Sequence, residues 1–315
     1  RARKRSWIAA GLAFFALLAG CELFVPVEPV LTPQARPQGL GIARPSPQPT
    51  SVASAALRRD LTEVQSSQLT QGLLRQDGGG PDTPFTGEML ARNFEQIVFF
   101  NEFGSGGFGL PRSSPLRRWE GPVRINAVFG SSVTQAQARQ DLSDINRYTA
   151  RLARATGHPI VVGSRPNVLV LFVSEDERAS LLETQATQIA GVSDSGLRRL
   201  RDLPRDVYCA VAAFGSAENP NAYVAAVVVI RDENPDLLRL SCIHEELAQS
   251  LGLANDSPNA RPSIFNDDDE FALLTTHDEM LLGMLYDKRL EPGITLEEAR
   301  PLVRVLASER MGGPS

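Results

Sequence analysis

With 315 residues, 42% apolar and 22% charged, the chain has the makeup of an ordinary folded protein, long enough for one large domain or two small ones, and carries no sign of a wholly disordered chain. The net charge is −5, and every basic residue except Lys4 and Lys288 is arginine. An acidic body argues against nucleic acid as a partner, because phosphate binding needs concentrated positive charge.

Residues 1–20 read as a targeting segment. A basic start, "RARKR", leads into the 13-residue apolar run "WIAAGLAFFALLA", which is short for a membrane span, and then into "LAGC". That ending resembles the lipobox of bacterial lipoproteins, which implies that the Cys21 thiol is lipidated and becomes the mature N-terminus. An uncleaved signal anchor and ordinary secretory cleavage are the alternatives. Losing Arg1, Arg3, Lys4 and Arg5 takes the net charge from −5 to −9. The expected location is the cell envelope, anchored by lipid and facing the periplasm, in either the inner or the outer membrane. Residues 21–50 then form a tether, with seven prolines among positions 22–50, reaching about 90 Å when fully extended.

Residues 51–120 are predicted as a helical region with a loop. "SVASAALRRDLTEVQSSQLTQGLLR" (51–75) has apolar residues near helical spacing, and "DGGGPDTP" breaks it. "TGEMLARNFEQIVFFNEF" is a second helix, followed by "GSGGFG". Gly104, Gly106 and Gly109 satisfy a GxGxxG pattern, but the stretch runs into "LPRSSP" and not into a helix, so no nucleotide site is expected.

From residue 121 the pattern becomes α/β or α+β. "PVRINAVF" alternates like a strand. A long amphipathic helix over "TQAQARQDLSDINRYTARLARATG" follows, closed by Gly157. "NVLVLFV" (167–173), "DVYCAVAAF" (206–214) and "AYVAAVVVI" (222–230) read as buried strands, and "SGLRRLRDLPRD" as a basic helical turn with a solvated face. Cys209 and Cys242 remain as an even pair in an oxidising compartment, and a bridge would close a loop of 34 residues worth about 4 kcal/mol. Two buried free thiols are the alternative.

"DENPDLLRLSCIHEELAQSLGLAND" carries the chemistry. Asn234 suits the N-cap, Pro235 the first helical position and Gly252 the C-terminus. At about 100° per residue, Leu240, Ile243, Leu247 and Leu251 share the face that should bury, while Glu245 and Gln249 point oppositely. A zinc reading starting at His244 fails, because Ala248 then falls at the second ligand position. One residue along, Glu245 and Gln249 take the ligand positions, Glu246 that of the general base, and Asn255 or Asp256 returns as the third group. The plain alternative is that Glu245 and Gln249 hydrogen-bond each other and nearby loop amides.

The stretch "EELAQSLGLAND…SIFN…LTTHDEMLLGMLYD" resembles the metzincin zinc peptidases, especially the matrixin-like branch. Those enzymes run from a His-Glu helix through a glycine turn and a third ligand to a Ser-x-Met turn under the metal and a last helix ending in Leu-Tyr. By this resemblance, which spans about residues 121–290, Ser263-Ile264-Phe265 stands at the Met-turn and Leu285-Tyr286 ends the last helix. It implies a mixed twisted sheet with a long helix after the first strand, a site helix and a C-terminal helix. The whole chain also looks like an uncharacterised lipoprotein family of Gram-negative bacteria. Zinc prefers imidazole or thiolate, whereas Gln249 and Asn255 offer weak neutral oxygens, and an all-oxygen set suits Ca²⁺, Mg²⁺ or Mn²⁺ better. No resident cofactor is therefore expected, with zinc or another divalent ion as the alternative.

The remaining features read as structural. His158, His244 and His277 do not form a three-His site, since His244 lies about 100° off the cleft-facing line. "NDDDE" (266–270) lacks calcium-loop spacing and reads as a solvated acidic loop. Residues 291–315 form a turn and a helix, with a Thr295/Glu298 capping box and a packing stripe of Leu296, Ala299, Val303 and Leu306. The favoured function is a non-catalytic peptide- or protein-binding module in the envelope. The alternatives are a metal-dependent peptidase using Glu245, Gln249 and Asn255 or Asp256 with Glu246 as base, and a structural spacer.

Overall fold

The computed structural model describes residues 50–101 and 112–313. The signal segment, Cys21, most of the tether and the glycine-rich loop lie outside the described residues. Helix α1 (Val52–Thr70) begins where the Ser51 side chain accepts from the Ser54 amide. It stops sooner than apolar spacing predicts, because Gly72 (φ 80°) and Leu74 (φ 58°) take left-handed backbone. Helix α2 (Gly87–Val98), capped by Thr86, also ends early, where Phe100–Asn101 (β1) pairs antiparallel with Arg112–Ser113 (β2).

The body follows the predicted α/β plan. After the two-residue β3 (Arg118–Trp119), strand β4 (Val123–Phe129) leads into α3 (Gln135–Thr156), which Gly157 closes at φ 64°. Strand β5 (Ile160–Val162) and helix α4 (Arg178–Gln185) are additions to the predicted set, both too short to leave a periodic signal. Between them lies β6 (Val168–Val173), buried at every position. The basic turn is a true helix, α5 (Asp194–Arg201), whose Leu197 and Leu200 are buried while Arg198 and Arg199 face solvent. Then come β7 (Cys209–Gly215), β8 (Ala222–Arg231), the site helix α6 (Asp236–Gln249), α7 (Thr276–Leu285) and α8 (Leu296–Arg310).

The sheet runs β5-β4-β6-β8 with all neighbours parallel, and β7 returns antiparallel along β8. β3 adds a short parallel pairing at the start of β8. The β7–β8 reversal depends on Gly215, where a Cβ would sit 2.1 Å from the Pro220 carbonyl oxygen, and the register shifts there. Alternation along each strand divides the apolar side chains between two faces. Leu169, Leu171, Val227 and Val229 pack with Leu182 of α4 and with Leu197 and Leu200 of α5. Val168, Val170, Phe172, Val228 and Ile230 pack against α3, α6 and α7, and α2 and α8 extend the same core through Phe94, Ile97, Val303 and Leu306. Leu296, by contrast, is only partly buried against the stripe it was predicted to join. Among the described residues no helix is long and apolar enough to cross a membrane.

Candidate functional site

The N-terminus of α6 is built differently from the sequence expectation. Pro235 takes the cap position, and the Asn234 side chain donates instead to the Tyr208 carbonyl at 3.0 Å. The Leu237 and Leu238 amides donate to Gln65 Oε1 of α1 at 3.1 and 3.0 Å, so a side chain distant in sequence satisfies the orphan donors of the first turn. Cys209 and Cys242 form the predicted disulfide, which fastens α6 to β7. Gly252 follows the helix at φ 123°, where a Cβ would sit 2.4 Å from the Arg117 carbonyl oxygen, so only glycine lets the chain turn against that backbone.

Along α6, Ile243, Leu247 and Leu251 are buried as their spacing predicts, whereas Leu240 is only half-buried. Glu245 is half-buried; Glu246 and Gln249 are buried. Carboxylate oxygens of Glu245 and Glu246 and the Cys209 sulfur all lie within 4.8 Å of one another. Bonded to Cys242, that sulfur is no thiolate, and two adjacent carboxylates remain.

The other predicted ligand positions gather on the loop after Gly252. Gln249 Nε2 makes a long 3.5 Å contact to Asp256 Oδ1. Asn255 donates to the Asp256 carbonyl at 2.6 Å and to the Gln96 carbonyl of α2 at 3.1 Å, and the Ser257 hydroxyl donates to Gln96 Oε1 at 2.5 Å. Asn255 Oδ1 is buried with no hydrogen-bond partner among the described residues. The donor set comprises carboxylates and amides, with both Nδ2 hydrogens of Asn255 committed to backbone. It does not fit zinc, which needs imidazole or thiolate to be held firmly.

The three histidines are placed apart, and His277 Nδ1 is buried without a hydrogen-bond partner among the described residues. His244 stacks on Tyr148 with ring centroids 4.0 Å apart, and its Nδ1 accepts from the Leu274 amide at 3.1 Å. Burial, with Arg151 and Arg147 nearby, pushes its pKa down to about 3. His277 is buried against Phe85, with Nε2 3.0 Å from Asn93 Nδ2. His158 packs on Tyr286 and lies 2.8 Å from the Gly121 carbonyl, its pKa lowered by desolvation.

Ser263, Ile264 and Phe265 form a buried turn whose organiser is Asp278 of α7. Its carboxylate accepts from Ser263 Oγ (2.5 Å), the Ile264 amide (3.1 Å), the Thr275 amide (2.9 Å) and Thr275 Oγ1 (2.9 Å). Thr275 and Asp278 form a capping box, so one side chain starts α7 and fixes the turn before it. Tyr286, at the end of α7, donates to the Leu251 carbonyl at 3.0 Å and ties it to the end of α6. Of the acidic loop, Asp267 and Asp268 are exposed as predicted. Asn266 is buried, donating to the Ala260 carbonyl, and Asp269 accepts from Gln68 of α1 at 2.6 Å.

A groove of about 670 Å³ runs beside the site helix. Its floor is β7, whose one sheet neighbour among the described residues is β8. The Tyr208 carbonyl accepts from the Arg231 amide, so by antiparallel alternation the backbone groups of Cys209, Val211 and Ala213 point to the open side. One wall is α5, packed so closely that a Cβ at Gly196 would sit 2.3 Å from the Phe214 ring. Gln249 and Ala254 line the opposite wall. Gln249 is thus the predicted site residue that reaches the groove, while Glu245, Asn255 and Asp256 are absent from its lining. Gln65, Gln96 and the groove arginines went unforeseen, since each acts across long sequence separations. The Thr275/Asp278 capping-box spacing was a readable signal.

Comparison with known proteins places residues 87–305 in one family, described as "Protein of unknown function (DUF2927)", and the chain belongs to it. No curated protein and no solved structure matches the chain.

Proposed function

We propose that this member of a family of unknown function is a lipid-anchored envelope module that binds extended peptide segments without cleaving them. The observation that carries the reading is the unpaired edge of β7 along a groove beside α6. An open strand edge presents alternating donors and acceptors, and an extended peptide can add to it as a further strand. The frame supports descent from a metzincin-like peptidase: a glycine turn after the site helix, a buried Ser263–Phe265 turn, and a final helix whose Tyr286 reaches back to Leu251. The donors argue against retained catalysis, because amide oxygens in place of imidazoles provide no strong Lewis acid to activate water for Glu246. The "LAGC" sequence supports attachment through Cys21.

Fluorescence anisotropy of the purified full chain with labelled seven-residue β-prone peptides tests the reading. Binding is expected to vanish when alternate peptide nitrogens are methylated, with the peptide recovered intact by mass spectrometry. Cleavage that disappears in Glu246→Gln would establish the peptidase alternative, and absence of any binding would leave the spacer. Incorporation of a clickable palmitate analogue, lost in Cys21→Ser, tests the anchor.

A further inference from the structure

The groove has a charge character opposite to that of the chain around it. Three arginines line it, Arg117, Arg198 and Arg199, against one carboxylate, Asp202, whereas the chain as a whole carries −5. Many arginines elsewhere are paired in place, although, among the described residues, Arg59, Arg139, Arg154 and Arg304 are not. Arg239 holds Asp141 with two bonds of 3.0 and 2.8 Å and reaches Asp232, and Arg289 bridges Asp287 and Glu309. Arg117 and Arg198 make no ion pair among the described residues. Arg117 lies half-buried, with its Nε enclosed and lacking a hydrogen-bond partner. Arg198 is exposed on the wall formed by α5.

Resting on the peptide-binding reading above, we propose that the groove selects extended peptides bearing acidic side chains at alternate positions. A strand added to β7 sends successive side chains to opposite sides. Every second residue therefore faces the α5 wall with its arginines, and the intervening ones face Gln249 and Ala254. Guanidinium groups meet carboxylates with paired, directional hydrogen bonds, so glutamate or aspartate on the α5 side matches this wall. Small or apolar residues suit the other side. The backbone donors and acceptors of Val211 and Ala213 set the register, which a disordered polyanion would not exploit.

The test compares three labelled peptides, Val-Glu-Val-Glu-Val-Glu-Val and its Lys and Gln counterparts, on the full chain by anisotropy at low and moderate salt. The Glu peptide is expected to bind about tenfold more tightly than the Lys peptide, as two partly exposed charge pairs allow, with the preference shrinking as salt rises. Arg198→Glu alone, at an exposed position, is expected to remove most of that preference, and Arg198→Glu with Arg199→Glu to reverse it, with circular dichroism unchanged. Equal affinity for all three peptides would overturn the charge selection and leave the peptide-binding reading standing. A Glu preference indifferent to both arginine substitutions would overturn it too, as would acidic binding that survives methylation of alternate nitrogens, which marks a polyanion surface. Failure of every peptide to bind would remove both readings.

Discussion

Asp278 is the residue whose loss should cost this fold most for the fewest atoms removed. Its carboxylate is fully buried and accepts four hydrogen bonds, three at Oδ2 and one at Oδ1, joining the Ser263–Phe265 turn to the start of α7. Asp278→Ala strands the Ser263 hydroxyl and the Ile264 and Thr275 amides in a buried site, while Thr275 Oγ1 keeps the Pro262 carbonyl at 2.9 Å; breaking a buried charged network of this kind costs about 3–5 kcal/mol. Asp278→Asn keeps an acceptor for the three donors at Oδ2. It turns an NH2 group toward Ser263 Oγ, which already accepts from the Phe265 amide at 3.0 Å. One strained contact replaces one good one, for about 1–2 kcal/mol. Urea unfolding of the full chain followed by circular dichroism at pH 7 reads both values, and thermal melting should show Ala lowering Tm by about 10 °C. An alanine variant within 1 kcal/mol of the parent, or an asparagine variant as damaged as alanine, would refute the assignment of Asp278 as organiser of the turn.

Gly252→Ala meets the Arg117 carbonyl at 2.4 Å with φ at 123°, so a loss of about 2–4 kcal/mol is expected in the same assay. His244 remains neutral in the fold with a pKa of about 3 but takes up a proton near pH 6.5 when unfolded. Its contribution to stability is therefore present above pH 6.5 and falls by about 1.4 kcal/mol per unit as the pH drops toward 3. His244→Gln should lose that part of the pH dependence; an unchanged slope would refute it. Replacing Cys209 and Cys242 together by serine opens a loop with a sequence separation of 33 and should lower stability by about 4 kcal/mol, measured against the parent with and without reductant.

The larger elements were legible because their periodicity is local. β6 and β8 are unbroken apolar runs, α3 carries its N-cap and its closing glycine, and the Thr295/Glu298 box marks the start of α8. The disulfide was legible from the even pair of cysteines and the oxidising compartment expected for them. Short elements such as β5 and α4 owe their state to neighbours and not to their own few residues, so no pattern announces them. At the site, helical angle grouped the buried leucines but misplaced Leu240, which lines a small cleft beside Gln140, Asp144 and Arg147 of α3. What no spacing rule shows is pairing at a distance: Gln65 with the α6 amides, Gln96 with Asn255 and Ser257, or an arginine of α5 overlooking a strand edge.

Helix α1 precedes the shared family segment, which starts at residue 87, yet it is fitted to the rest like a keystone. Gln65 finishes the first turn of α6, Ser54 donates to the buried Glu233, and Arg58 grips Asp232, which also holds Arg239. The family-matched stretch and the stretch packed together by these bonds therefore have different borders. A fragment trimmed to residues 87–305 would leave the leading amides of α6 to water and two carboxylates short of partners. The first turn of the helix that carries Gln249 to the groove is thus completed from outside the shared segment, by Gln65.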